Sequence, residues 1–148
     1  ETDRGILTET PAILAYIAQI HPAAGLAPVS DPFAFAAVQA FNNYLCATVH
    51  VAHAHRPRAH RWADDPAAQE TLRRKVASNM SDCFQLIETG LPEAPWVQGE
   101  SYTICDPYLF TISRWLEGDG VDIARFPRVA AHAKRMAGRP AVQKALAM

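Results

Sequence analysis

Apolar residues recur along this chain at steps of three and four, the spacing of one face of an α-helix. The stripes are Ile13, Leu14, Ile17 and Ile20; then Phe35, Val38, Phe41, Leu45, Val49 and Ala52; then Leu72, Val76, Met80, Cys83 and Ile87. Leu109, Ile112 and Leu116 form a fourth, and Val129, Ala133 and Met136 a fifth. Prolines at positions 11, 32, 66, 127 and 140 suit first helical turns, where the missing N–H is no loss. His21-Pro22 ends the first helix and Arg56-Pro57 the second, near His55; Gly90 stops the third, Gly118 and Gly120 the fourth, and Gly138 the fifth. A short last helix runs from Pro140 through Leu146. Only Ile6-Leu7 reads as a β-like stub, and there is no other period-2 strand, internal repeat or low-complexity tract. The polar connector from Gly25 to Asp31 sets the first helix apart from the later ones.

Before the fourth helix, Thr103 and Asp106 stand three apart, the spacing of a capping box. The Thr103 hydroxyl is expected to accept the N–H of residue 106 while the Asp106 carboxylate accepts that of residue 103, next to the positive helix end. Asp is shorter than the usual Glu or Gln, so its reach requires a tight, buried turn.

Composition adds boundaries. With 148 residues and 49% apolar content the chain is long enough for a sizeable core and reads as soluble and globular. A formal charge of −1 argues against a dedicated nucleic-acid or anionic-membrane surface, and no apolar run reaches the length of a membrane span or reads as a signal peptide. Cys46, Cys83 and Cys105 form no CxxC pair and sit in helical patterns, so they read as small buried hydrophobes in a reducing, cytoplasmic setting. His50, His53, His55 and His60 raise the question of a metal, but Arg56, Arg58 and Arg61 surround them and no carboxylate or Cys stands at ligand spacing. A solvated basic helix end, favoured by the helix dipole, is the better reading, with no metal. The chain does not begin with Met, which suggests that sequence precedes Glu1.

The box lies between Trp96-Val-Gln-Gly99 and Phe110-Thr-Ile-Ser-Arg-Trp115, and near the start stands Gly5-Ile-Leu-Thr-Glu-Thr-Pro-Ala-Ile13. In that order, from about residue 5 to about residue 147, these resemble the glutathione transferase family, in particular its bacterial beta class. The resemblance implies an all-α bundle of the family's C-terminal type, preceded by a strand-helix remnant of a thioredoxin-like domain. The boundaries would be 1–22 for the remnant, 23–31 for a linker and 32–148 for the helical domain. It also implies a homodimer formed through the helices at 32–55 and 66–88.

Glu9 and Thr10 on their own read as a helix cap, and the resemblance makes them contacts to the γ-glutamyl end of glutathione. Asn43 and His50 are seven apart, two helical turns, so they are expected on one face. In beta-class proteins the matching Asn contacts glutathione across the dimer and the matching His lies beside the thiol, although a basic residue common after that His is here Val51. Trp115, otherwise a core residue, matches a Trp lining the substrate cleft, and Arg114 reads as an ion-pair partner. The implied activity is addition of the glutathione thiol, as co-substrate, to small hydrophobic electrophiles. The family's thiol-activating Tyr, Ser or Cys and its cis-Pro lie outside the matching positions, so the chain is expected to be a fragment with little activity alone. A non-catalytic protein-interaction module and a hydrophobic-ligand carrier remain the alternatives.

Overall fold

Seven α-helices form where the apolar stripes lie, in a computed structural model that describes residues 1–148. They are α1 (Thr10–Ile20), α2 (Pro32–Tyr44), α3 (His50–Ala54), α4 (Pro66–Gly90), α5 (Cys105–Ser113), α6 (Pro127–Ala137) and α7 (Pro140–Leu146). Asp31 caps α2 by accepting the N–H groups of Phe33 and Ala34 at 3.0 Å each, and Asp65 caps α4 through the N–H of Ala68 at 2.7 Å.

The centre of the molecule is α5, which buries seven of its nine residues. Around it pack Val38, Leu45 and Val49 from the α2 side, Val76, Met80, Phe84 and Ile87 from α4, and Phe126 and Val129 at the start of α6. The connector before α2 is docked as well: Leu26 accepts the N–H of Ile104 at 2.9 Å and Ala27 is buried. After α4 the chain turns tightly at Trp96–Gly99, whose backbones exchange two hydrogen bonds of 3.0 Å, with Gly99 at φ 87° where a side chain would be strained.

The expected strand-helix remnant ahead of the bundle is corrected. Ile6 and Leu7 form no strand, and the chain is mostly helical with no sheet, holding only isolated bridges at Thr2–Gly5, Trp96–Gly99 and Gln98–Ser101. A strand is held by the backbone hydrogen bonds of a neighbour, and nothing pairs with this stub, which leaves Ile6 84% exposed. Helix α1 packs instead on α2, burying Pro11 and Ala18 and leaving Ile13, Ile17 and Ile20 largely open.

The second helix is not uniform. Residues Leu45–Val49 form a π-helical segment between α2 and α3, a wider turn with one more residue than an α turn. The fourth helix is shorter than its stripe suggests: past Ser113 the bonds tighten to Ile112–Trp115 and Ser113–Leu116, and the chain turns through to Gly120.

Candidate functional site

A cavity of about 270 Å³ opens where the N-terminus of α1 meets α3 and α5. Thr10 and Leu14 line it from α1, His50 from α3, and Pro107, Tyr108 and Thr111 from α5, with Trp115 in the turn beyond. Three of the residues singled out in the sequence, Thr10, His50 and Trp115, therefore share one cleft despite lying far apart in the chain.

The α1 end of the cleft carries free donors. Glu9 precedes the helix without capping it through its side chain, and Pro11 has no N–H. The N–H groups of Thr10 and Ala12 are thus left without partners at the positive end of the helix. Glu9 itself sits at φ 67° and ψ 120°, a conformation that costs a non-glycine residue energy and persists where surrounding structure enforces it. It is exposed at the cleft edge, and its charge is close enough to help raise the Tyr108 pKa. The larger causes there are burial and the Cys46 thiol, and together they keep the Tyr108 phenol a neutral donor.

His50 is half-buried, its ring 5.0 Å from that of Trp115 in an edge-on arrangement. Burial lowers its pKa, and the nearby charges of Arg58 and His53 push the same way, so the imidazole is neutral at ordinary pH. A neutral imidazole offers one N–H donor and one acceptor nitrogen, the pair needed to hold or move a thiol proton.

Asn43 does not join this cleft. It is exposed on α2, because the wider π turn between it and His50 means that seven residues no longer close two turns. Its neighbour Asn42 is fully buried instead, with neither amide atom hydrogen-bonded. Arg114 pairs with no carboxylate; its guanidinium lies 5.9 Å from the Phe110 ring centroid.

The histidine cluster is also arranged differently from the solvated helix end that the sequence suggests. His53 is half-buried, and its Nδ1 donates to Asp119 Oδ2 at 2.7 Å; its ring stacks on Trp115 at 4.3 Å between centroids. The Asp119 side chain is fully buried, and Arg56 Nε lies 3.0 Å from its other oxygen, an ion-pair contact off the line of a hydrogen bond. Gly118 gives Arg56 its room, since a Cβ there would stand 2.8 Å from Nη2. His55 rests on Trp62 at 4.3 Å, and no group of three or more His, Cys, Asp or Glu is placed to hold a metal ion. Asp119 escaped the sequence reading because, between two glycines, it looks like part of a helix stop; its partners lie more than sixty positions upstream.

On the far side of α5, Asp106 accepts the Thr103 N–H at 2.6 Å, while the Thr103 hydroxyl accepts the N–H of Cys105, at 3.3 Å, rather than that of residue 106. The carboxylate does more than cap: its other oxygen accepts the Val97 N–H at 2.9 Å and the His132 Nε2–H at 3.0 Å. Cys83 and Cys105 are buried, the latter with its thiol pKa pushed up to about 12 by burial, and both are unreactive; Cys46 is only half-buried.

No family model matches the chain. Among curated proteins it is 30% identical over 145 residues to Glutathione S-transferase GstA of Escherichia coli O157:H7, covering 97% of this chain and 68% of that protein. Among solved structures, a glutathione transferase homologue from Sulfitobacter with bound glutathione superposes with a TM-score of 0.91 at 41% identity, over 97% of this chain and 77% of that one. A bacterial beta-class glutathione S-transferase of Sphingomonas chungbukensis superposes with a TM-score of 0.84 at 27% identity, over 98% and 69% of the two chains. No helix is long and apolar enough to cross a membrane.

Proposed function

Because this chain belongs to the glutathione S-transferase family, with bacterial beta-class homologues, we propose that the cleft at the start of α1 binds glutathione and carries the conjugation step. The observation that supports this most is the meeting of Thr10, His50 and Trp115 around one cavity. In this reading the open N–H groups of the first turn and the Thr10 hydroxyl hold the γ-glutamyl carboxylate, and Glu9 receives the ammonium. Glu9 holds the strained backbone conformation directly ahead of that first turn.

His50 stands at the thiol. It takes up the proton as the sulfur attacks an electrophilic carbon, or donates its N–H to the thiolate; the new S–C bond forms as the leaving group departs with the electron pair. Burial helps here, since an uncharged imidazole in a partly dry cleft keeps its accepting nitrogen available. The electrophile is a small apolar molecule lying against Trp115, Leu14 and Pro107, with the Tyr108 phenol as a donor in the wall.

We assign the homodimer to the α2 and α4 surfaces, where Phe33 is 86% and Leu86 61% exposed. Asn43, exposed on α2, then reaches glutathione held by the partner copy rather than by its own chain.

Calorimetry with glutathione tests the site directly. The source-expressed protein is expected to bind, Thr10→Ala to bind about tenfold more weakly, and His50→Ala to keep its affinity within about threefold while conjugation of chlorodinitrobenzene falls about a hundredfold. Residues 1–148 alone, without the family's thiol-activating residue and cis-Pro, are expected to conjugate little. A protein that takes up no glutathione overturns the proposal.

A further inference from the structure

We propose that Asp119 and His53 are positioning residues for the cleft, a carboxylate-imidazole pair that locks the Trp115 indole and through it the ring of His50. The inference rests on the reading of His50 as the group beside the thiol.

The pair is anchored in the turn that ends α5. The Asp119 N–H bonds to the carbonyls of Trp115 and Leu116 at 3.0 Å each, so the turn that carries the indole also sets the carboxylate. A carboxylate only accepts hydrogen bonds, which places a proton on His53 Nδ1 and fixes both the tautomer and the plane of that ring. The fixed ring lies nearly parallel to the indole, 24° apart, and the indole meets His50 at 61°. Three planar groups in series thus run from a fully buried charge to the cleft wall, and each is held by the one before it.

Packing alone does not call for this arrangement. Taking a carboxylate out of water is costly, and a phenyl ring at position 53 would fill the same space beside Trp115 without an ionised partner. Arg56 offsets part of that cost at 3.0 Å, and in this arrangement its Nη2 occupies space that a side chain on Gly118 would share. What the hydrogen-bonded pair adds over a phenyl ring is a fixed orientation. Catalytic groups need that, since a displacement of about 1 Å can cost a hundredfold in rate.

The test uses the source-expressed protein with His53→Phe, which keeps the ring but removes the Nδ1 donor, and Asp119→Asn, which keeps the shape but removes the charge. The readouts are kcat and KM for glutathione with chlorodinitrobenzene, and the Trp115 indole signal in a proton–nitrogen correlation spectrum, assigned by its loss in Trp115→Phe. In both variants kcat is expected to fall about tenfold with KM within about twofold of the parent, and the Trp115 signal to shift or broaden. An unmoved Trp115 signal overturns the proposal even where kcat falls, because the effect then bypasses the indole; so does an unchanged kcat. Should Asp119→Asn fail to fold, His53→Phe carries the test alone. A parent that does not conjugate glutathione defeats the catalytic reading of His50 instead, and the Trp115 signal still decides whether the pair holds the wall.

Discussion

His50 shows how one environment sets both chemistry and stability. Its pKa is lowered first by burial and then by the charges of Arg58 and His53, whereas in the unfolded chain it titrates near the ordinary value of about 6.5. Between the native value and about 6.5 the unfolded chain therefore binds more protons than the native one. Stability contributed through this residue is complete above that window, and it is lost as pH falls toward the native value. Urea midpoints measured between about pH 5 and about pH 7.5 are expected to drop on acidification more steeply in the parent than in His50→Gln, which has no proton to gain. Equal slopes would show that His50 titrates alike in both states. The same residue marks a limit of sequence spacing: seven positions from Asn43 suggested a shared face, and the π turn at Leu45–Val49 separated them. Nothing local announces that turn, because the apolar steps Leu45, Val49 and Ala52 fit an ordinary α-helix equally well.

At the scale of elements, α5 is the part most legible in advance, yet its cap is held by partners that the local spacing does not show. The Thr103–Asp106 spacing pointed to the cap, and the carboxylate does bond the Thr103 N–H. The spacing could not show that the same carboxylate ties the helix to Val97 in the preceding turn and to His132 on α6, since those contacts span nine and 26 positions. The two box residues should therefore differ in cost. Thr103→Ala loses one hydroxyl acceptor and is expected to destabilise by about 1 kcal/mol. Asp106→Ala strands two buried backbone N–H groups and the His132 ring in a closed core, for about 3 kcal/mol or more. Denaturant unfolding measures both, and equal costs would reduce Asp106 to an ordinary cap. The Asp119 pair was illegible for the same reason as the His132 contact. A buried carboxylate is recognised by its partners, and its partners are neighbours only after folding.

Over the whole molecule, burial is uneven in a way that bears on the cleft. Helix α5 hides seven of nine residues, whereas α1 hides only Pro11 and Ala18 and leaves Ile13, Ile17 and Ile20 at 37%, 38% and 48% exposure. The apolar stripe of α1 was plain in the sequence, but which side it faces was not, because periodicity identifies an amphipathic face without identifying what meets it. Local stability follows buried contact, so α1 is expected to open well before the core does. In native-state hydrogen exchange its amides from Ala15 to Ile20 should exchange through openings of about 2 kcal/mol or less, while those in the middle of α4 and α5 report the global value of about 5 kcal/mol or more. Thr10 and Leu14 hang on this weakly held helix, whereas His50 and Trp115 stand on the well-packed side. The cleft thus joins a lightly buried wall to a well-packed one, and a ligand spanning both must raise the opening energy of α1 by mass action on the closed form. Saturating glutathione is accordingly expected to raise the opening energy of α1 and, because global unfolding also releases the ligand, that of the amides in the middle of α4 and α5 by the same amount. Slowing in α4 and α5 with α1 exchange unchanged would mean that α1 opens with the ligand still bound, and that Thr10 and Leu14 do not hold it.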